Sequence, residues 1–134
     1  MVKIITEVTD ILDLCYTHGW DERNGGNLSL IVEENDIKPL IKKGKVLRTY
    51  SYEDCDFTTL IGKYFIITGT GKYFKNCKKD PETNLGIIKV KDKNTIELLW
   101  GLKDGGGPTS ETPTHLLCHS ERLKVDPKHT LVLH

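Results

Sequence analysis

The stretch that most limits what this chain can become is its last third, residues 108–134, PTSETPTHLLCHSERLKVDPKHTLVLH. It sets a turn, a helix start and an apolar strand end to end, with an acidic side chain at the junction. Asp104-Gly105-Gly106-Gly107 just upstream is a turn run, because aspartate and glycine adopt the backbone geometries that turns need. Pro108, Thr109 and Ser110 then lead into an apolar-periodic segment containing Leu116, Leu117 and Leu123, which reads as a loop running into a helix. Thr109 or Ser110 is the expected N-cap, and Pro113 suits a first helical turn, where its missing amide hydrogen costs little. The unbonded N–H groups and positive dipole end of a helix start favour an anion such as phosphate. Glu111 stands beside that position. Its carboxylate either complements the dipole, an effect of about 0.3–1 kcal/mol, or moves a proton, and the residues alone leave both readings open.

His115 and His119 are spaced i, i+4, which puts both imidazoles on one helical face. That spacing can ligate zinc, but a lone pair of this kind more often packs or faces solvent, and packing or exposure is the expectation. The final run, His129-Thr130-Leu131-Val132-Leu133-His134, predicts a buried strand that delivers His134 at its end.

Upstream, Ile4, Val8, Ile11, Leu12 and Cys15 recur at helical spacing and His18-Gly19 stops the pattern, so a helix is expected over 3–18. Trp20 is expected to fill core beneath the loop Asp21-Glu22-Arg23-Asn24-Gly25-Gly26-Asn27, which enters a strand at Leu28–Val32. Two glycines between two asparagines let backbone amides approach an anion, although such a loop is usually only a turn. Residues 33–63 hold no sustained period, and no place is predicted for Tyr50, Tyr52 or Phe57. A strand at Tyr64–Thr68 runs into Gly69-Thr70-Gly71-Lys72, a glycine-hydroxyl-glycine turn that lacks the GxxxxGK[ST] spacing of a Walker loop. Leu85–Val90 and Thr95–Leu102 read as strands joined by the polar turn Lys91-Asp92-Lys93-Asn94, a hairpin signal, and Trp100 is expected in the core. Helix, strands, helix and strand in succession predict a sheet flanked by helices.

Nineteen basic and nineteen acidic residues cancel over the 134, which gives no electrostatic case for nucleic acid or an anionic membrane. The N-terminus meets acidic residues too early for a signal peptide, and no segment approaches the roughly 20 apolar residues of a membrane span. Cys15, Cys55, Cys77 and Cys118 are scattered without a CxxC, as reduced thiols are in a cytoplasmic protein.

Four blocks in order, GWDERNGGNLSL at 19–30, FIITGTGKYFKN at 65–76, NLGIIKV at 84–90 and PTSETPTHLLCHSERLK at the start of the last third, resemble the class II aldolase/adducin family, and nearly the whole chain is covered. The resemblance implies a three-layer α/β/α fold with a mixed, mostly antiparallel sheet. It implies a zinc-dependent lyase that cleaves L-rhamnulose 1-phosphate to dihydroxyacetone phosphate and L-lactaldehyde, tetrameric and cytoplasmic. Glu111 matches the family's catalytic acid/base, Asn24, Asn27, Thr70, Thr109 and Ser110 match its phosphate contacts, and His134 matches its first zinc ligand. Thr70 stands where a serine is common in the family, and the hydroxyl is kept. The family pattern continues with a His-x-His pair, of which His134 is the first, and a later zinc histidine. Residues 1–134 are therefore expected to be the N-terminal part of a single domain, inactive by themselves. Two other functions stay open at this point: another sugar-phosphate aldolase or epimerase of the family, and a partial domain that binds anions without chemistry.

Overall fold

The computed structural model describes residues 2–17, 26–41, 45–126, 128 and 130–133. In chain order these form α1 (Lys3–Thr17), β1 (Leu28–Val32), the one-turn helix α2 (Glu34–Ile37), β2 (Arg48–Ser51), a 3₁₀ turn (Thr58–Leu60) and β3 (Tyr64–Thr68). There follow the short helices α3 (Phe74–Cys77) and α4 (Pro81–Asn84), strands β4 (Leu85–Val90) and β5 (Thr95–Gly101), helix α5 (Thr112–Val125) and strand β6 (Leu131–Leu133). The strands make one sheet in the order β2-β5-β4-β3-β1-β6, and each pairing described is antiparallel. The antiparallel majority expected from the resemblance is thus complete among the described residues.

Alternation along the strands sorts the core into two layers. On one face Leu28 and Val32 of β1, Ile66 of β3, Leu85 and Ile87 of β4 and Trp100 pack with Ile5, Val8, Leu12 and Cys15 of α1. On the other, Phe65 and Ile67 of β3, Ile88 and Val90 of β4, and Ile96 and Leu98 of β5 pack with Phe57, Leu60 and Leu116 of α5. Ile96, Leu98 and Trp100 share a parity in sequence, yet Trp100 lies on the opposite face. The register explains it: Ile87 pairs with Trp100 and Ile88 with Leu98, so Leu99 is the extra residue of a β-bulge that turns the strand over.

Register matters most at β1, where Leu28 faces α1 and Ser29 is buried on the α5 side. A one-residue slip would drive the Ser29 hydroxyl into the layer of Leu12 and Ile66, where an unsatisfied polar group costs about 1–3 kcal/mol, and turn Leu28 toward the buried histidines of α5.

The predicted helix at 3–18 and the strands at Leu28–Val32, Tyr64–Thr68 and Leu85–Val90 are observed within a residue, and Trp100 is core. Three expectations change. The final strand is less buried than predicted: among the described residues β6 is an edge strand paired to β1, with Leu131 exposed and Val132 half-buried. The unassigned 33–63 region supplies α2, edge strand β2 and the 3₁₀ turn, whose Phe57 and Leu60 are fully buried while Tyr50 and Tyr52 pack partly against them. At α5 the N-cap residue is Glu111, with no capping bond from its own side chain. Thr109 is instead used in the preceding turn, its carbonyl accepting from Thr112 N at 3.0 Å and its Oγ1 from Glu111 N at 3.3 Å. Trp20 lies outside the described residues.

Candidate active site

Three loops meet at one end of the sheet, and Thr68 joins them. Its Oγ1 accepts from Leu28 N at 3.0 Å, tying β3 to the start of β1. Its carbonyl accepts from Thr109 N at 2.9 Å, tying β3 to the segment before α5. Gly69 and Pro108 form an isolated antiparallel bridge there, flanked by Thr70 N donating to Gly107 O at 2.9 Å and Thr70 Oγ1 donating to Pro108 O at 2.7 Å. Lys72 closes the same pair of turns with an ion pair to Asp104, and this hydrogen bond holds the Asp104 carboxyl below its usual range.

Across this junction the Asn27 Nδ2 donates to Glu111 Oε2, a bond between side chains 84 positions apart. Asn27 is buried and Glu111 half-buried. Glu111 is therefore held toward the β1 loop, in place of folding back on the amides of its own helix. Asn27 also meets His115 Nε2 through Oδ1, and His115 Nδ1 lies 2.6 Å from Ser29 Oγ. The same hydroxyl is 2.8 Å from His119 Nε2. Both histidines are buried, and the His119 ring packs on Phe65 with centroids 4.9 Å apart.

Glu111 and His115 open onto a cleft of about 210 Å³ that Thr114, Cys118, Arg122 and β6 residues Leu131 and Val132 complete. A larger cleft of about 510 Å³ near Leu40, Lys45, Arg48 and Trp100 contains none of the candidate catalytic, phosphate or metal residues. Of those, Asn27, Thr70, Thr109, Ser110 and Glu111 come together in the three loops. Thr109 is buried; Thr70 and Ser110 are exposed. Asn24 and His134 lie outside the described residues. Among the described residues no group of three or more His, Cys, Asp or Glu side chains has the arrangement to hold a metal ion, so they make no metal site by themselves. None of their helices is long and apolar enough to cross a membrane, and their four cysteines form no disulfide with one another.

Ser29 is not among the residues expected at the site, and His115 and His119 are expected only to pack or to face solvent. The available signal was their i, i+4 spacing together with strand alternation, which turns Ser29 away from Leu28 and toward whatever helix covers that face.

Burial shifts His119 in a measurable way. Its pKa falls from 6.5 to about 4, first because burial penalises the charged ring and then because His115 opposes a further positive charge; a backbone hydrogen bond with Ser29 acts the other way, and Arg122 lowers it slightly further. Between these values the unfolded chain binds a proton that the folded chain refuses. The neutral ring's contribution is therefore complete above about pH 6.5 and is lost as pH falls to about 4. The expected loss is about 1–3 kcal/mol. Urea unfolding of wild type and His119→Gln from pH 7 to 4 checks this: the gap between the two should narrow by that amount, and parallel curves would exclude the effect.

The architecture places the chain in a class first. The solved sugar-phosphate aldolase from Thermotoga maritima superposes with a TM-score of 0.77 at 26% identity, over 97% of this chain and 51% of that one, so the fold is that of a class II aldolase. The sequence match is more specific. Residues 6–134 match the family described as Class II Aldolase and Adducin N-terminal domain, and the chain belongs to that family. Rhamnulose-1-phosphate aldolase from Listeria monocytogenes (serovar 1/2a) is 44% identical over 131 residues, 97% of this chain and 48% of the relative. The enzyme of the same name from Enterococcus faecalis is 49% identical over 120 residues, 89% of this chain and 43% of the relative. The chain thus spans about half the length of the curated relatives it matches.

Proposed function

We propose that this chain supplies the proton-transfer and phosphate-binding part of an aldolase that cleaves L-rhamnulose 1-phosphate to dihydroxyacetone phosphate and L-lactaldehyde. The observation that carries the reading is the Asn27–Glu111 hydrogen bond, which holds a carboxylate at the meeting point of the three loops, beside the cleft and away from any capping duty. Cleaving the carbon–carbon bond takes a proton from the substrate's hydroxyl and returns one to the carbon left behind, and Glu111 is the group assigned to carry it. Thr109 and Ser110, on the turn before α5, and Thr70, Asn24 and Asn27 are assigned to the phosphate. The kinship with enzymes named for rhamnulose 1-phosphate favours that ketose over other sugar phosphates.

Zinc belongs to this reading, with His134 as one ligand; when bound, such a cation stabilises developing negative charge as a Lewis acid. Residues 1–134 are taken as part of one domain of a cytoplasmic homo-oligomer. Turnover is expected from the protein carrying the whole ligand set, and little or none from the 134 residues alone.

The test is release of dihydroxyacetone phosphate from L-rhamnulose 1-phosphate and from other ketose 1-phosphates by the complete protein. At least tenfold higher kcat/KM for the rhamnulose ester is expected, a discrimination of about 1.4 kcal/mol; equal or reversed preference assigns another substrate. Chelation should abolish turnover and added zinc restore it, whereas unchanged cleavage after verified metal removal contradicts the zinc assignment.

A further inference from the structure

The side chains behind Glu111 form one continuous hydrogen-bonded line, and its polarity can be deduced from donor and acceptor chemistry alone. A carboxylate only accepts, so the Asn27 group facing it is the amide nitrogen, as observed. That turns Asn27 Oδ1 toward His115 Nε2. A carbonyl oxygen also only accepts, so His115 Nε2 carries a hydrogen. A neutral imidazole has one N–H, which leaves His115 Nδ1 bare to accept the Ser29 hydroxyl proton across 2.6 Å. With that proton committed, Ser29 Oγ accepts from His119 Nε2–H across 2.8 Å.

The far end confirms the direction. His119 Nδ1 is the buried side-chain atom that has no partner among the described residues. In this arrangement it is a bare acceptor. The reversed line, or a charged His115, would turn the Ser29 bonds around and leave an N–H at that position facing no acceptor, a situation that folded proteins avoid. The lowered pKa of His119 agrees with a neutral ring.

We propose that His115, Ser29 and His119 are positioning residues that fix the Asn27 amide and, through it, the orientation of the Glu111 carboxylate. Ser29 is held on β1 and both histidines on α5, so the line connects the carboxylate to two packed elements of the core. Without the His115 donor, the Asn27 amide is free to rotate its oxygen toward the carboxylate, where the two acceptors repel. A misplacement of about 1 Å at a reacting group can cost roughly 10²-fold in rate.

The inference rests on Glu111 as the proton-transfer group, and its test has an arm that does not involve activity. Long-range ¹H–¹⁵N NMR of the histidine rings in the complete protein should show His115 and His119 as neutral Nε2–H tautomers, and an Nδ1–H tautomer at either overturns the proposal. In kinetics, His115→Phe should lower kcat about 10–100-fold with KM within about twofold. His115→Gln, whose amide can still donate to Asn27, should recover most of it. Ser29→Ala keeps the test open if His115→Phe does not fold: loss of the His115 Nε2–H preference with a fall in kcat supports the line. Unchanged kcat in both His115→Phe and Ser29→Ala, while Glu111→Gln is inactive, overturns the positioning role and leaves the proton-transfer reading standing. Full turnover by Glu111→Gln removes that reading instead, whatever the tautomers show.

Discussion

Glu111→Gln in the complete protein is expected to lower kcat by roughly 10²–10⁴-fold while leaving the unfolding transition where it was. The substitution is nearly isosteric, and a glutamine oxygen still accepts from Asn27 Nδ2, the bond that holds the side chain. What disappears is the capacity to take up and return a proton. Glu111→Asp separates this role from helix capping. Aspartate is the better N-cap, so a capping account predicts equal or higher stability with turnover kept. A proton-transfer account predicts a large loss of turnover, because the shorter side chain withdraws the carboxylate by more than 1 Å. A stable, fully active Glu111→Asp variant would return the residue to capping.

Gly101→Ala should destabilise the fold by about 2–4 kcal/mol, enough to remove much of a typical domain's stability. Gly101 closes β5 with φ of +88°, and a Cβ there would lie 2.0 Å from the carbonyl oxygen of Leu85. That same oxygen accepts from Leu102 N at 2.9 Å. Relief of the clash therefore breaks the bond that turns the chain from β5 toward Asp104 and, further on, Glu111. Gly105→Ala is the control: φ is +90°, yet nothing lies within 4 Å of its added Cβ, so only backbone strain of about 1 kcal/mol applies. Urea titration of both variants reads the difference directly, and equal losses would show that crowding at Leu85 contributes nothing.

What could be read from residues alone followed the strength of the local pattern. Tyr64–Thr68 and Leu85–Val90 are apolar runs between turn residues, and the structure places strands over the same spans. β2 escaped notice because Arg48-Thr49-Tyr50-Ser51 is an edge strand whose alternate positions are exposed, so it lacks the apolar density that marks its neighbours. The cap of α5 differs from the expected Thr109 or Ser110 for a related reason. Thr109 and Ser110 both outrank glutamate as N-caps, but Thr109 is engaged by the turn before the helix, and that follows from its tie to Thr68, 41 positions earlier in the chain. The gathering of Asn27, Thr70, Thr109, Ser110 and Glu111 was expected from resemblance, whereas the Ser29–His115–His119 line was not. Its two histidines share a helical face by spacing alone, but their partner lies 86 and 90 residues away and meets them only because β1 runs beneath α5.

Hydrogen exchange, without the aldehyde or the sugar, tests most directly whether Glu111 moves a proton at carbon. The complete, metal-loaded protein should incorporate one deuterium from D₂O into dihydroxyacetone phosphate alone, stereospecifically, at the carbon that would join the aldehyde. Glu111→Gln should retain dihydroxyacetone phosphate binding and exchange roughly 10²–10⁴-fold more slowly. Exchange at the wild-type rate in Glu111→Gln would contradict the assignment.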